Sequence, residues 1–282
     1  AERLGNDLVD EAERLQAVKR RFPLAVDLGA HHGGLGRRFH ATGRIDAIVS
    51  LEAVPALAER CDPPRVLADE EALPFAAASL DLVVSGLSLT HVNDLPGTFA
   101  QVHRALKPDG LFLAALLGGR TLQELRAAFL VAESEIDGGA SPRVAPFVDV
   151  RDLGALLQRA KFALPVTDSD LLTVAYPTPL HLMRELKAMG ASNVLTDRRR
   201  RPLRRATLLR AAEVYAERFS RADGRVVATF EILTLIGWKP HPSQQQPLRP
   251  GSAAMRLADA LGTTERSTGD KAGVEPGDEP AR

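Results

Sequence analysis

A short segment that combines an acid, two glycines and two histidines (Asp-Leu-Gly-Ala-His-His-Gly, positions 27–33) directly follows an apolar run. An apolar run that ends in an acid and a glycine turn is how a parallel β-strand presents its carboxyl end to a nucleotide-like ligand. Such turns usually carry glycine at the position of His31, because glycine tolerates positive φ and lets the backbone approach the ligand. The predicted site comprises Asp27, Gly29, Ala30, His31 and Gly33.

Further polar residues follow the next three apolar runs, and together with the glycine turn they resemble class I S-adenosylmethionine (SAM) methyltransferases. In that superfamily a carboxylate after the second strand bonds the ribose, and a polar residue after the third addresses the adenine. Glu52 is the ribose candidate, with a solvated acid at a helix start as the equal alternative. Asp69 is the adenine candidate, and its alternative role is a helix N-cap. Glu70 and Ser85 complete the predicted SAM site. Because the His31 side chain takes space that glycine leaves free, we predict weak SAM binding.

His91 follows the fourth apolar run and is the candidate catalytic base. Methyl transfer from an activated sulfonium depends mainly on positioning, but a nitrogen or hydroxyl acceptor also needs a base. The alternative for His91 is a helix-start histidine that packs on neighbouring elements. The sequence contains neither His-x-Asp nor His-x-Glu, so it does not support a local site of two histidines and one carboxylate for iron. We predict no metal site.

The charge balance narrows the classes of partner. The chain of 282 residues carries 36 basic and 36 acidic side chains, which argues against general nucleic-acid or membrane-surface binding. No apolar run reaches the roughly 18 residues that a transmembrane helix needs. The single cysteine, Cys61, excludes a disulfide framework within one chain.

Strand-like and helical runs alternate from Leu24 to Leu117, which predicts βαβ units and a parallel sheet. We therefore predict an α/β, Rossmann-like class I SAM-dependent methyltransferase fold: a seven-stranded, mostly parallel sheet with a central first strand and an inserted helical lid. The predicted regions are an N-terminal helix (1–20), a SAM-binding core (21–119), a C-terminal half (120–246) with the lid at about 175–222 and a closing strand at Val226–Trp238, and a tail (247–282) that is disordered towards its end. Lid helices at Leu180–Met189 and Ala206–Phe219 should roof the pocket, and Lys107–Gly110 should form a turn.

Six arginines lie between Asp197 and Arg205. The default interpretation is a solvated linker, and the alternative is a docking surface for an acidic partner. On the second interpretation, reversing the charges of Arg199, Arg200 and Arg201 would weaken partner binding and leave the fold intact. These three arginines and Trp238 are the candidate partner contacts.

The chain from about Phe22 to Met255 resembles the arginine hydroxylase family of respiratory complex I assembly factors, found in mitochondria and alphaproteobacteria. The shared early motifs are Phe22–Gly29, Leu67–Phe75, Asp81–Ser85 and Leu106–Gly110; the more specific late ones are Gly138–Pro142, Ile236–Lys239 and His241–Gln244. The resemblance implies SAM binding and hydroxylation of an arginine in the complex I iron–sulfur subunit. It also implies a cytoplasmic or mitochondrial-matrix location, at the periphery of the inner membrane.

Two other classes of function stay open. The core motifs are also similar to malonyl-acyl-carrier-protein methyltransferase, whose acidic carrier would suit the arginine run. The third class is a non-catalytic assembly chaperone that keeps the fold without the cofactor.

Overall fold

Seven β-strands form a seven-stranded sheet within the part of the chain that the computed structural model describes, residues 18–245, 255 and 257–264. The strands are β1 (Phe22–Leu28), β2 (Ile45–Glu52), β3 (Arg65–Leu67), β4 (Leu80–Gly86), β5 (Leu106–Leu117), β6 (Ala163–Tyr176) and β7 (Val226–Trp238). Their order across the sheet is β3-β2-β1-β4-β5-β7-β6. The predicted seven-stranded sheet with a central first strand is therefore confirmed.

All strands except β7 run in the same direction. Parallel ladders join β3, β2, β1, β4 and β5, whereas β7 is antiparallel to both of its neighbours. Helices on both faces bury the central strands, which explains why β4 is apolar along most of its length and forms a continuous run rather than an alternating one. The reversed β7 matches the predicted closing strand residue for residue.

The helices connect these strands and cover both faces of the sheet. They are α1 (Gly34–Ala41), α2 (Pro55–Ala58), α3 (Leu95–Ala105), α4 (Gln123–Ile136), α5 (Val150–Arg159), α6 (Pro179–Ala188) and α7 (Arg205–Phe219). A further helix, α8 (Leu257–Leu261), belongs to a separate C-terminal unit that begins at Ser243. A single 3₁₀ turn, Ser88–His91, follows β4. None of the helices in the described ranges is both long and apolar enough to cross a bilayer.

Only one of the two predicted lid helices reaches the carboxyl edge of the central strands. Leu186 of α6 and the following Met189 line cavities at that edge. The other helix, α7, instead packs on α4, and the Oη of its buried Tyr215 donates a 2.7 Å hydrogen bond to the carbonyl of Val227. The prediction that α7 roofs the pocket was wrong, because the apolar face of α7 packs against α4 and β7 instead.

One other expectation was wrong, and two more fall mainly outside the described residues. The Lys107–Gly110 segment lies inside β5 as an irregularity in its pairing with β4, with Asp109 at a φ of 63°, rather than as a turn before the strand. Residues 18–20 are not helical, and the rest of the predicted N-terminal helix lies outside the described residues. The predicted tail holds α8, and its end beyond residue 264 also lies outside them.

Candidate functional site

A cavity of about 440 Å³ opens at the carboxyl ends of β1, β2 and β4. The chain crosses from one side of the sheet to the other between β1 and β4, and ligands of open α/β sheets bind at such a switch point. The segment after β1 supplies one wall, and the segment after β4 supplies the facing wall. Topology alone therefore brings the predicted acid–glycine turn opposite His91.

The turn after β1 is built from left-handed backbone. Gly29, His31 and Gly33 have φ values of 69°, 55° and 75°. The N–H of Ala30 donates to the carbonyl of Leu51 at 2.9 Å, which ties the turn to β2. A Cβ on Gly29 would overlap Ser88 and lie 2.6 Å from Glu70 Oε1, so only glycine fits at this position. Gly33 does not line the cavity; it starts α1, where a Cβ would lie 3.3 Å from the Cα of Cys61.

Asp27 forms the floor of the cavity and is fully buried. Its Oδ2 accepts a 2.9 Å hydrogen bond from the N–H of Gly36, while its Oδ1 has no hydrogen-bond partner within the described residues. Burial, reinforced by the nearby Glu52 charge and opposed by the Gly36 bond, raises the pKa of Asp27 to about 7. An unpaired buried carboxylate oxygen in a cavity wall is suited to a cationic ligand.

Two glutamates, Glu52 and Glu70, line the same cavity as Asp27. Glu52 is buried at the end of β2, so it is not a solvated helix-start acid; its Oε2 accepts the His31 N–H at 2.7 Å and its Oε1 the Val54 N–H at 3.0 Å. Glu70 lines the same cavity, and burial together with the charge of Glu52 raises its pKa. Among the described residues, the cavity therefore gathers three carboxylates and no Lys or Arg side chain in its lining.

Asp69 and Ser85 support the site rather than line it. Asp69 is exposed, and its Oδ1 accepts a 2.8 Å hydrogen bond from the Glu71 N–H. This is a local contact within a turn, of the same type that aspartate makes when it caps a helix. Ser85 is buried, and its Oγ donates to the carbonyl of Leu28 at 2.8 Å. The lining residue is Ser88, which sequence reasoning did not select although it lies one turn beyond Ser85. Its Oγ bonds the same carbonyl at 3.0 Å.

His31 lies at the rim of the cavity with an exposed side chain. Its Nδ1 lies 2.6 Å from the Nδ1 of His32, another lining residue that sequence reasoning missed. Burial and the nearby His31, Arg37 and Arg60 charges lower the pKa of His32. His31 thus keeps the backbone conformation of the glycine it replaces and adds a ring to the rim.

Replacing His31 by Gly is expected to tighten SAM binding several-fold. The change removes a side chain from the rim and relieves a left-handed conformation that costs a non-glycine residue roughly 1 kcal/mol. Isothermal titration with SAM measures the effect, with His40→Gly, a change at an exposed position outside this cavity, as the control. Unchanged or weaker binding would show that the His31 ring contributes to the site.

A second, mostly apolar cavity of about 240 Å³ adjoins the first. Leu87, His91 and Met189 line both cavities, so His91 lies at their junction. Arg143 lies on the wall of the second cavity, where its Nε donates to Glu133 Oε1 at 2.8 Å and its charge is thereby paired. The junction places His91 where a group in one cavity would meet a group in the other.

The predicted partner contacts lie away from the first cavity. Trp238 ends β7 beside Leu111, at the opposite edge of the sheet, and is half-buried against the cluster around Phe22. Arg199 is not a free surface charge, because it pairs at 2.8 Å with the buried Asp137. The expectation that reversing Arg199 leaves the fold intact was therefore wrong: a glutamate there would face Asp137. Arg200 and Arg201 are exposed.

The cavity residues fit SAM in charge and shape. SAM carries a sulfonium and an ammonium, and the cavity offers the unpaired Asp27 Oδ1 with Glu52 and Glu70 nearby. The Ser88 side chain occupies the space that a Cβ on Gly29 would need, so the glycine lets the two facing walls of the cavity pack closely together. No group of three His, Cys, Asp or Glu in the described residues is arranged to hold a metal ion.

Comparison with known proteins agrees with this geometry. A family model described as a methyltransferase domain matches residues 26–114. The chain is 43% identical over 254 residues to the mitochondrial arginine-hydroxylase NDUFAF5 of Danio rerio, covering 88% of this chain and 78% of that one. It is 34% identical over 260 residues to the malonyl-[acyl-carrier protein] O-methyltransferase of Gallionella capsiferriformans, covering 87% and 86%.

A solved structure shares the fold at low identity. The YcgJ protein of Bacillus subtilis superposes with a TM-score of 0.58 and 13% identity, covering 82% of this chain and 99% of that one. The fold similarity and the methyltransferase domain establish the class I architecture. Because the identity to the arginine-hydroxylase extends along most of both sequences, the chain belongs to the NDUFAF5 arginine-hydroxylase family of methyltransferase-fold proteins.

Proposed function

We propose that this protein binds SAM and hydroxylates an arginine of the iron–sulfur subunit of respiratory complex I during assembly of that complex. The observation that carries the proposal is 43% identity to a named arginine-hydroxylase over 88% of the chain. That similarity extends far beyond residues 26–114, which many methyltransferases share. The reaction would take place in the cytoplasm or the mitochondrial matrix, according to the source.

The first cavity is the proposed SAM site. When bound, SAM supplies an activated methyl group on a cationic sulfonium. Asp27 would balance that positive charge, and Glu52 would contact the ribose while it holds the turn through the His31 N–H. Gly29 lets the Ser88 side chain pack against the turn, which sets the distance between the two walls of the site. We assign the adenine contact to Glu70 rather than to the predicted Asp69, because Glu70 lines the cavity and Asp69 does not.

The second cavity is the proposed entry of the substrate side chain. His91 is the candidate catalytic residue, since it lies where the two cavities meet. In a methylation, His91 would take the proton that leaves a nitrogen or hydroxyl at the junction. Hydroxylation of an arginine is a two-electron oxidation, so it would also require an oxidant at the junction that supplies the oxygen atom. The aliphatic part of an arginine side chain would lie against apolar residues such as Leu87 and Met189.

A second candidate is methylation of a carboxyl group on an acyl carrier, favoured by 34% identity to a malonyl-carrier O-methyltransferase. A malonyl carboxylate would need a free cation beside the junction. Arg143 is the arginine in the apolar cavity, and its guanidinium is already paired with Glu133. This pairing makes the first candidate the stronger of the two.

In a strain that lacks this protein, we expect the complex I iron–sulfur subunit to lose the mass of one oxygen atom on one arginine. Mass spectrometry of tryptic peptides measures the loss, and complementation with the intact gene should restore it. Complementation with His91→Asn should not restore it, although that variant should bind SAM as the unmodified protein does. Loss of a methyl group from the subunit would show that the reaction there is methylation, whereas the second candidate predicts an unchanged subunit and loss of the methyl ester from the acyl carrier. Loss of assembled complex without any mass change would support a chaperone.

A further inference from the structure

The second cavity has one wall that faces solvent. This wall is the segment Ala191–Leu195, called here the outer-wall loop, which follows α6. Val194 in this loop is 75% exposed and yet lines the cavity. None of the side chains that line this cavity within the described residues is acidic. The cavity can therefore be approached from outside across an apolar, non-acidic surface.

The arginine run folds back onto this loop. The Nη1 of Arg198 donates to the carbonyl of Leu195 at 2.8 Å. The Nδ2 of Asn193 donates to the carbonyl of Pro142 at 2.7 Å, and the Nη2 of Arg199 donates to the carbonyl of Gly139 at 3.1 Å. These bonds tie the outer-wall loop and the arginines to one neighbouring segment. The basic residues are consequently held beside the mouth of the cavity.

Four of the six arginines in the run form two pairs that differ in their contacts. Arg199 and Arg204 both pair with Asp137, whose side chain is 4% exposed, and so serve the fold. Arg200 and Arg201 are exposed and make no ion pair with any described residue. By contrast, the exposed surface of α7 is balanced internally, since Arg210 pairs with Glu135 at 2.7 Å. Arg200 and Arg201, like the exposed Arg198, therefore carry uncompensated positive charges on the segment that directly follows the outer-wall loop.

We propose that the second cavity, the outer-wall loop and the pair Arg200 and Arg201 form a docking site for an acidic segment of the protein substrate, which lies beside the arginine whose aliphatic part enters the cavity. The inference rests on the proposed function, which needs a protein substrate to reach His91. Charge complementarity favours an acidic segment, because it would be attracted by these two cations. It would not be repelled by the cavity, since none of the described lining residues is acidic. Such charges mainly raise the rate of association, and salt screens them.

The test compares two matched double reversals in binding to the purified complex I iron–sulfur subunit. Arg200→Glu with Arg201→Glu removes the uncompensated charges, and Arg199 is left intact. Arg104→Glu with Arg159→Glu is the control: both residues are exposed, and they lie in the last turns of α3 and α5, just before β5 and β6 begin. They are therefore at the amino edge of the sheet, away from both cavities.

The two double reversals should differ in their association kinetics. We expect the Arg200 and Arg201 pair to associate roughly tenfold more slowly than the unmodified protein at low salt, with little difference at high salt. The control pair should associate like the unmodified protein. Equal slowing in both pairs would show that the effect comes from net charge rather than from a docking site, and would overturn the proposal.

A third variant tests the cavity itself. Ala145→Phe places a ring in the second cavity and should speed dissociation several-fold at every salt concentration, because an apolar contact is not screened. Thermal unfolding and SAM titration verify that each variant is folded. Unchanged kinetics for the Arg200 and Arg201 pair, with binding and hydroxylation intact, would overturn the docking site alone. If the unmodified protein neither binds nor modifies the subunit, the proposed function itself is wrong.

Discussion

Replacing Asp27 by Asn is expected to stabilise the protein by about 2 kcal/mol at pH 8 and to weaken SAM binding at the same pH. Asp27 is fully buried with one unpaired oxygen, and burial raises its pKa to about 7. The unfolded chain has an ordinary aspartate pKa near 4, so between about pH 4 and pH 7 the folded state holds more protons than the unfolded state. Stability therefore falls as the pH rises through this window.

The pKa of Asp27 differs by about three units between the folded and the unfolded chain. At 1.36 kcal/mol per unit, ionisation of the buried carboxyl lowers the free energy of unfolding by roughly 4 kcal/mol, and this loss is complete above pH 7. Asparagine is neutral at every pH and keeps an oxygen for the Gly36 N–H, but its amide nitrogen would be buried without a partner, at a cost of about 1–2 kcal/mol. Urea unfolding at pH 5 and pH 8 measures the difference. A variant less stable than the unmodified protein at pH 8 would contradict the raised pKa.

Asp27 should also make SAM binding depend on pH. A cationic ligand that meets the carboxylate favours its ionised form, so binding below pH 7 has to release a proton. The apparent affinity should rise roughly tenfold between about pH 5.5 and pH 7, below the range where an α-amino group titrates. The Asp27→Asn variant separates the contribution of Asp27 from that of every other group. If Asp27→Asn keeps the full pH dependence, Asp27 is not its source.

The sequence predicted the fold well because the central strands are long apolar runs separated by helical runs. β7 was predicted at Val226–Trp238 and found there. Strand ends were predicted less well where backbone irregularity decides them, as at Asp109 with its left-handed φ inside β5. Propensity favours a turn at Pro108-Asp109-Gly110, but pairing of Leu106 with Leu80 continues the strand through it.

Within the site, sequence reasoning found residues whose role follows from position on a strand. Asp27 and Glu52 lie at the ends of β1 and β2, and strand ends meet at one edge of a parallel sheet. Met189 lines the cavity from the predicted lid segment Leu180–Met189, but Ser88 was missed, because a left-handed residue, Leu87, directs the 3₁₀ turn towards Gly29. The spacing of residues along the chain does not reveal this backbone conformation.

Replacing Gly29 by Ala should destabilise the protein by about 3–4 kcal/mol and abolish most SAM binding. A left-handed φ of 69° costs an alanine about 1–2 kcal/mol. Its Cβ would also overlap the Oγ and Cβ of Ser88, and forced repacking of this kind costs a further 1–3 kcal/mol or so. Ser88 sits on the wall that faces the turn, so relief of the overlap must move one wall of the SAM site.

Gly43→Ala is the matched control, because Gly43 has a φ of 70° and no atom within 4 Å of the added Cβ. It should lose only the conformational cost, about 1–2 kcal/mol, and bind SAM normally. Adding Ser88→Gly to Gly29→Ala should recover stability relative to the sum of the two single changes, since it removes the overlapping atoms. Equal losses for the two alanine variants, or no coupling between positions 29 and 88, would mean that the turn yields without moving Ser88. The close packing of Ser88 against position 29 would then not explain why glycine is needed there. The left-handed backbone conformation alone would explain it.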